Sequence, residues 1–176
     1  AGTYVENINF RGRNIKVVGA DRETTIIDGG GLGHVIDFLY NNEYSSPLLK
    51  SFTLINGTYI DDVTSPAGAV NLDHTLNAVL EDLIIEDSNG QQGGGIRIVA
   101  SHGTLLKDLV IRNNSSVSKG GGVFEGGSIF TENIYENCIL EYNSAGTGGG
   151  MSLEDSSPTL TGVRFISNNS ASYGGG

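Results

Sequence analysis

The feature that most constrains this chain is a glycine triplet that returns at a near-constant interval. Gly-Gly-Gly begins at residues 93, 120, 148 and 174, steps of 27, 28 and 26. Each triplet is preceded by the same kind of passage: an apolar strand end, then an Asn/Ser corner. Examples are Phe165-Ile166-Ser167-Asn168, Leu140-Glu141-Tyr142-Asn143 and Ile111-Arg112-Asn113-Asn114, with a looser copy from Ile85 to Ser88 and Asn89. A period in this range is the mark of stacked repeats, in which each unit buries its apolar side only against its neighbours. Helical periodicity is nearly absent, and short runs rich in Val, Ile, Leu and Thr alternate between Gly, Asn and Ser corners. The predicted fold is therefore all-β, a right-handed parallel β-helix of about six to seven coils.

Aligning the repeats on the end of the main strand gives a reference column of Val17, Leu54, Ile85, Ile111, Leu140 and Phe165. Two positions earlier stand Ile15, Phe52, Leu83, Leu109, Cys138 and Val163. Five positions earlier stand Leu49, Leu80, Leu106, Tyr135 and Leu160. Alternation in a strand sends such a set to one face, the interior. After the glycines a second strand aligns Val35, Val70, Ile96, Val123 and Met151. Two positions on, Asp37 and Glu125 interrupt Leu72, Ile98 and Leu153, so either the register slips there or those rungs meet water.

The outward columns carry charge of alternating sign. Lys50, Glu81, Lys107 and Glu136 follow one another, as do Glu86, Arg112 and Glu141, which predicts that Glu81 and Lys107 are neighbours on adjacent coils. At the corner, Gly57, Ser88, Asn114, Asn143 and Asn168 align. Asn and Ser bond nearby backbone groups, and stacked Asn side chains can bond one another along the axis. The triplets are expected to supply positive φ and close backbone approach. A phosphate cradle is excluded, because no helix follows and no Lys-Ser/Thr pair closes the motif.

A single domain of residues 1–176 is expected, irregular over 1–67 and regular over 68–176. The irregularity falls on two insertions, Leu39–Pro47 and Gly57–Ala67, where function in such scaffolds usually sits. A net charge of −10 argues against nucleic acid as a partner. No apolar run approaches the length of a membrane span. The lone Cys138 reads as a small buried apolar residue.

Gly2-Thr3-Tyr4-Val5-Glu6-Asn7-Ile8, Asn14-Ile15-Lys16-Val17-Val18-Gly19 and Thr24-Thr25-Ile26-Ile27-Asp28-Gly29 resemble the opening rungs of the pectin lyase-like β-helix superfamily. The Phe165-Ile166-Ser167-Asn168 repeat and the Gly triplets are similar to the Phe-x-x-Asn and Gly-Gly-Ala-Ile repeats of polymorphic outer-membrane proteins. The resemblance implies the fold and an extracellular or cell-surface setting. It does not imply one activity, since β-helices host lyases, hydrolases, esterases and adhesins. The Gln-Asp and Trp elements of pectinesterases are lacking here. Gly33-His34-Val35 and Arg97-Ile98-Val99 match polygalacturonase-like motifs only as fragments. Members of the superfamily begin with a capping helix. Its lack, with the bare terminal glycines, leads us to expect a segment of a longer repeat protein, able to associate end to end.

Two groups of residues could carry chemistry. Asp82 and Asp108 share an outward column with Asn14, Ser51 and Asn137, a spacing at which two carboxylates could hold Ca²⁺. Asp61, Asp62, Asp73 and His74 could cluster near the second insertion, with His74 as a general base. That second set is the site expected if the protein is a carbohydrate-active enzyme working on acidic polysaccharide. Otherwise no catalytic residue and no organic cofactor is expected, and the chain reads as a non-enzymatic stalk, adhesive or polysaccharide-contacting module. An outward apolar line, Thr53, Ile84, Val110 and Ile139, calls for a partner, a covering loop or a ligand platform.

Overall fold

The computed structural model describes residues 1–40, 45–59, 66–128, 130 and 132–174. Within them every strand pairing is parallel and no helix occurs, and the chain winds as a β-solenoid of about six turns. Three sheets line the walls. The first contains Thr25–Asp28, Leu48–Ile55, Val79–Glu86, Leu105–Lys107 with Val110–Arg112, Ile134–Glu136 with Ile139–Glu141, and Thr159–Thr161 with Arg164–Ile166, and it opens on Gly2–Val5 and Lys16–Val18. The second stacks Ile8–Asn9, Ile36–Leu39, Val70–Asp73, Ile96–Val99, Val123–Gly126 and Met151–Glu154. The third stacks Asn89–Gln92, Ser115–Lys119, Ser144–Thr147 and Asn169–Tyr173.

The core is the inward column set expected from alternation. Leu54, Ile85, Ile111 and Leu140 stack with Leu49, Leu80, Leu83, Leu106 and Leu109 from the first sheet, and meet Val70, Leu72, Ile96 and Ile98 from the second, all fully buried. Each such side chain contributes about 1.5–3 kcal/mol by leaving water.

Left-handed backbone defines where the coil turns. Ser51, Asp82, Asp108, Asn137 and Gly162 share φ of 53–66° at the kink inside the first sheet. Asn56, Asp87, Asn113, Tyr142 and Ser167 take φ of 51–56° where that sheet ends. The first glycine of each triplet (Gly93, Gly120, Gly148, Gly174) takes φ of 62–67°. The next two serve close approach instead: a Cβ on Gly121 would lie 2.4 Å from the carbonyl oxygens of Gly149 and Ser144 in the next coil. Only a residue with no side chain allows coils to stack there.

The corner Asn residues are buried and bond along the axis. Asn143 Nδ2 donates to Asn168 Oδ1 (3.0 Å) and to Ile111 O (2.9 Å), while its Oδ1 accepts from Asn114 N (3.0 Å) and Asn114 Nδ2 (3.2 Å). The ladder continues through Asn114 Oδ1 to Ser88 N (3.1 Å) and Ser88 Oγ to Gly57 N (3.0 Å). Glu81 and Lys107 are register partners as expected, and the ladder closes as the pairs Lys50–Glu81 (2.8 Å) and Lys107–Glu136 (3.9 Å).

Two columns differ from the sequence alignment. Val17 stacks on Leu49, and Ile27 is the residue that stacks on Leu54. Ile15 and Asn14 therefore leave the columns assigned to them, and Asn14 instead accepts from Ser46 N. The cause is a local excursion: the first coil spends residues 19–25 between strands that the next coil joins with Ser51 and Phe52 alone. In the second sheet Ile36, not Val35, stacks on Val70, so Phe38 takes the inward place beside Leu72 and Asp37 faces outward. Glu125 keeps its inward position opposite Ile98 and is fully buried.

Candidate functional site

The excursion in the first coil folds back over the first sheet. Thr53 Oγ1 donates to Arg22 O (2.6 Å), and Thr53 and Ile84 are buried, whereas Val110 and Ile139 further along the apolar line are half-buried. Arg22 then reaches the kink column. Its guanidinium lies 3.4 Å from Asp82 Oδ1 and donates to Asp108 O (3.2 Å). Asp82 Oδ2 also accepts from Ser51 Oγ (2.8 Å), and Asp108 Oδ1 from Asn137 Nδ2 (3.2 Å). Asp82 and Asp108 thus sit on adjacent coils with protein donors around both. Among the described residues no group of three or more His, Cys, Asp or Glu side chains is arranged to hold a metal ion.

The outer face of the second sheet carries a continuous polar chain across four coils. Asn9 Nδ2 donates to Asp37 Oδ2 (2.8 Å) and Asn71 Nδ2 to Asp37 Oδ1 (3.0 Å). Arg97 donates to Asn71 Oδ1 (2.9 Å) and to Asp73 Oδ2 (3.3 Å). Asp73 Oδ1 meets His74 Nδ1 at 2.5 Å, and the His74 ring stacks on Tyr40, centroids 5.1 Å apart and planes within 19°. Strand register alone makes this assembly, because Asp37, Asn71 and Arg97 are successive partners in the second sheet. Tyr40 and His74 occupy the left-handed position that ends it, with φ of 46° and 49°.

Burial tunes two groups at the upper end of this chain. Burial lowers the proton affinity of His34 below the usual imidazole value, against the opposing pull of Asp37. Burial raises that of Asp37, against the hydrogen bond from Asn71 and the attraction of His34. Arg97 provides the cation that accompanies Asp73.

Asp73 and His74 are therefore adjacent and directly bonded, while Asp61 and Asp62 lie outside the described residues. Nothing in the sequence marks a third partner for Asp73 and His74. The structure supplies Arg97 and Tyr40, which no spacing rule connects to them before the register is known.

No family model matches this chain, and neither a curated protein nor a solved structure matches it. The class that the fold itself defines is the parallel β-solenoid.

Proposed function

We propose that this chain is a non-enzymatic, extracellular or cell-surface β-helix module that contacts polysaccharide along the outer corner of its second sheet. The observation that carries this reading is the exposed Tyr40–His74 stack, held by the Asp73–Arg97 pair behind it. An aromatic pair fixed by charge-assisted bonds offers a flat, preorganised surface at small ordering cost. Both oxygens of Asp73 are engaged, one by His74 and one by Arg97, which suits holding a platform more than chemistry. The superfamily suggested by the opening rungs and Phe-x-x-Asn repeats, pectin lyase-like with surface-type repeats, agrees with that setting.

The second reading is a carbohydrate-active enzyme. Its support is the 2.5 Å Asp73–His74 contact, which orients the imidazole for use as a base. Incubation with pectin, polygalacturonate and alginate, with and without Ca²⁺, separates the two. Binding that Tyr40→Ala abolishes, without release of reducing or unsaturated ends, supports the module. Turnover that His74→Ala abolishes supports the enzyme.

A further inference from the structure

The corner that ends the first sheet is a different edge of the solenoid from the one that carries Tyr40 and His74. It holds four Asn-x-Ser/Thr tripeptides, with Asn56, Asn113, Asn114 and Asn168 in the acceptor position. That tripeptide is the signal for attaching an oligosaccharide to an asparagine side chain, and so bulky and polar a group must stand in water. The fold divides the four. Asn114 and Asn168 are 1% and 9% exposed, and their Nδ2 atoms donate to Ile85 O (2.9 Å) and Leu140 O (2.8 Å) within the corner ladder. A sugar on either would have to break that ladder. Asn56 is exposed, but its Nδ2 is held by Asp28 Oδ1 (2.9 Å). Asn113 is exposed, and among the described residues its side-chain amide has no partner.

A second observation singles out Asn113. Arg112 and Glu141 are register partners, so Asn113 neighbours Tyr142 of the next coil at the strand spacing of about 4.8 Å. Both residues take φ of 54°, and Asn113 N donates to Glu141 O (3.2 Å). Tyr142 is 58% exposed, in a left-handed column otherwise made of Asn56, Asp87, Asn113 and Ser167. An aromatic ring therefore stands in water beside a free amide. A pyranose can lay its apolar C–H face on such a ring while its hydroxyls remain hydrated.

We infer that Asn113 is an N-glycosylation site whose first sugar rests on Tyr142, an inference that rests on the extracellular setting proposed above. The donor is an oligosaccharide carried on a lipid diphosphate, used by a transferase of the secretory route. Asn113 Nδ2 attacks the anomeric carbon of that oligosaccharide. The bond from this carbon to the diphosphate oxygen breaks, and the lipid diphosphate leaves with the electron pair. Nδ2 gives up one of its two protons, so the product is a neutral secondary amide. Ser115, the hydroxyl residue of the tripeptide, is half-buried, and its Oγ accepts from Asn89 Nδ2 (2.8 Å). The glycan stands on a different corner from the Tyr40–His74 stack, so its presence is compatible with polysaccharide contact there.

The test is secretion of the whole chain from a eukaryotic cell, with peptide mapping of the folded, secreted protein and of its Asn113→Gln, Tyr142→Ala and doubly substituted forms. Asn113 and Tyr142 are both exposed, so these variants are expected to keep the fold, which circular dichroism checks. The expected map has Asn113 occupied and Asn114 and Asn168 bare. With the glycan trimmed to its first sugar, the melting temperature should stand about 2–4 °C above that of Asn113→Gln, the shift of one aromatic contact in a chain of this size. In the Tyr142→Ala background that difference should fall to about zero. Secreted protein with Asn113 bare overturns the inference and leaves the module reading intact, since polysaccharide binding and its loss in Tyr40→Ala are measured separately. Occupancy of Asn114 or Asn168 in folded protein overturns the division of the four tripeptides. A thermal effect of the Asn113 glycan that survives Tyr142→Ala overturns the seat of the first sugar.

Discussion

The Tyr135 hydroxyl donates to Glu125 Oε2 at 2.7 Å across the interior, joining the first sheet to the second inside the coil. Asn133 Nδ2 donates to Oε1 of the same carboxylate at 3.0 Å, and Ser156 adds its hydroxyl. A buried acid is tolerable only with its lone pairs matched, and removing one donor leaves the others bound to an under-satisfied group. Tyr135→Phe is therefore expected to cost about 1–3 kcal/mol. In denaturant unfolding, Tyr135→Phe combined with Glu125→Leu should cost less than the two single changes added together. Strict additivity would mean that the contact carries no coupling energy.

The same pair sets an alkaline limit. Burial first, and then the Glu125 charge, hold Tyr135 protonated well above the usual phenol value. In the unfolded chain the phenol ionises near pH 10, so the contribution is fully present below about pH 10 and is lost as pH rises beyond it. Absorbance titration should find one tyrosine lagging behind the others. Stability of Tyr135→Phe should fall less steeply above pH 10 than that of the parent.

Asn143 sits at the centre of the corner ladder, with its amide nitrogen bonded to Asn168 and Ile111 and its oxygen to Asn114. Asn143→Ala orphans several buried groups together, and a loss of about 2–4 kcal/mol is expected. Amide exchange at Asn114, whose N–H loses its acceptor, should accelerate more than exchange at Ile111, whose N–H belongs to the strand ladder. Uniform acceleration would assign the effect to global unfolding instead.

Gly121 and Gly31 illustrate the distinct uses of glycine. A methyl on Gly121 would press on the carbonyls of Gly149 and Ser144, whereas one on Gly31 meets nothing within 4 Å and suffers only from φ of 67°. Gly31→Ala is expected to cost about 1–2 kcal/mol. Gly121→Ala must push adjacent coils apart and should cost about 3 kcal/mol or more. Melting temperatures in that order support the division, and the reverse order overturns it.

The sequence made the regular coils legible because a solenoid repeats by translation. Once Ile85, Ile111 and Leu140 align, so must Glu81 with Lys107 and Asn114 with Asn143. Two misplacements came from local breaks in that translation. Val17 and Ile27 are both apolar strand residues, and nothing in their identity tells which one faces Leu54 when residues 19–25 intervene. Val35 and Ile36 are both fully buried, so apolar character cannot choose between their registers; the acid Asp37 marked the slip. The candidate site was half legible. Asp73 and His74 adjoin in the chain, but Tyr40 and Arg97 reach them only through strand register, which the slip at Asp37 obscured.

Arg22 gives the last prediction. Its guanidinium stands against Asp82 and donates to the Asp108 carbonyl, bridging the two coils whose carboxylates were the candidate Ca²⁺ ligands. A divalent ion would have to displace that cation and also compete with Ser51 and Asn137 for the same oxygens. Ca²⁺ prefers six or more oxygen ligands, and two monodentate carboxylates cannot supply them. The melting temperature in millimolar Ca²⁺ is therefore expected to equal that in chelator. Arg22→Ala should lower it modestly in both, because a partly exposed ion pair contributes about 0.2–1 kcal/mol. A Ca²⁺-dependent rise that Asp108→Ala abolishes would reinstate the acid column as a cation site and recast Arg22 as its displaceable occupant.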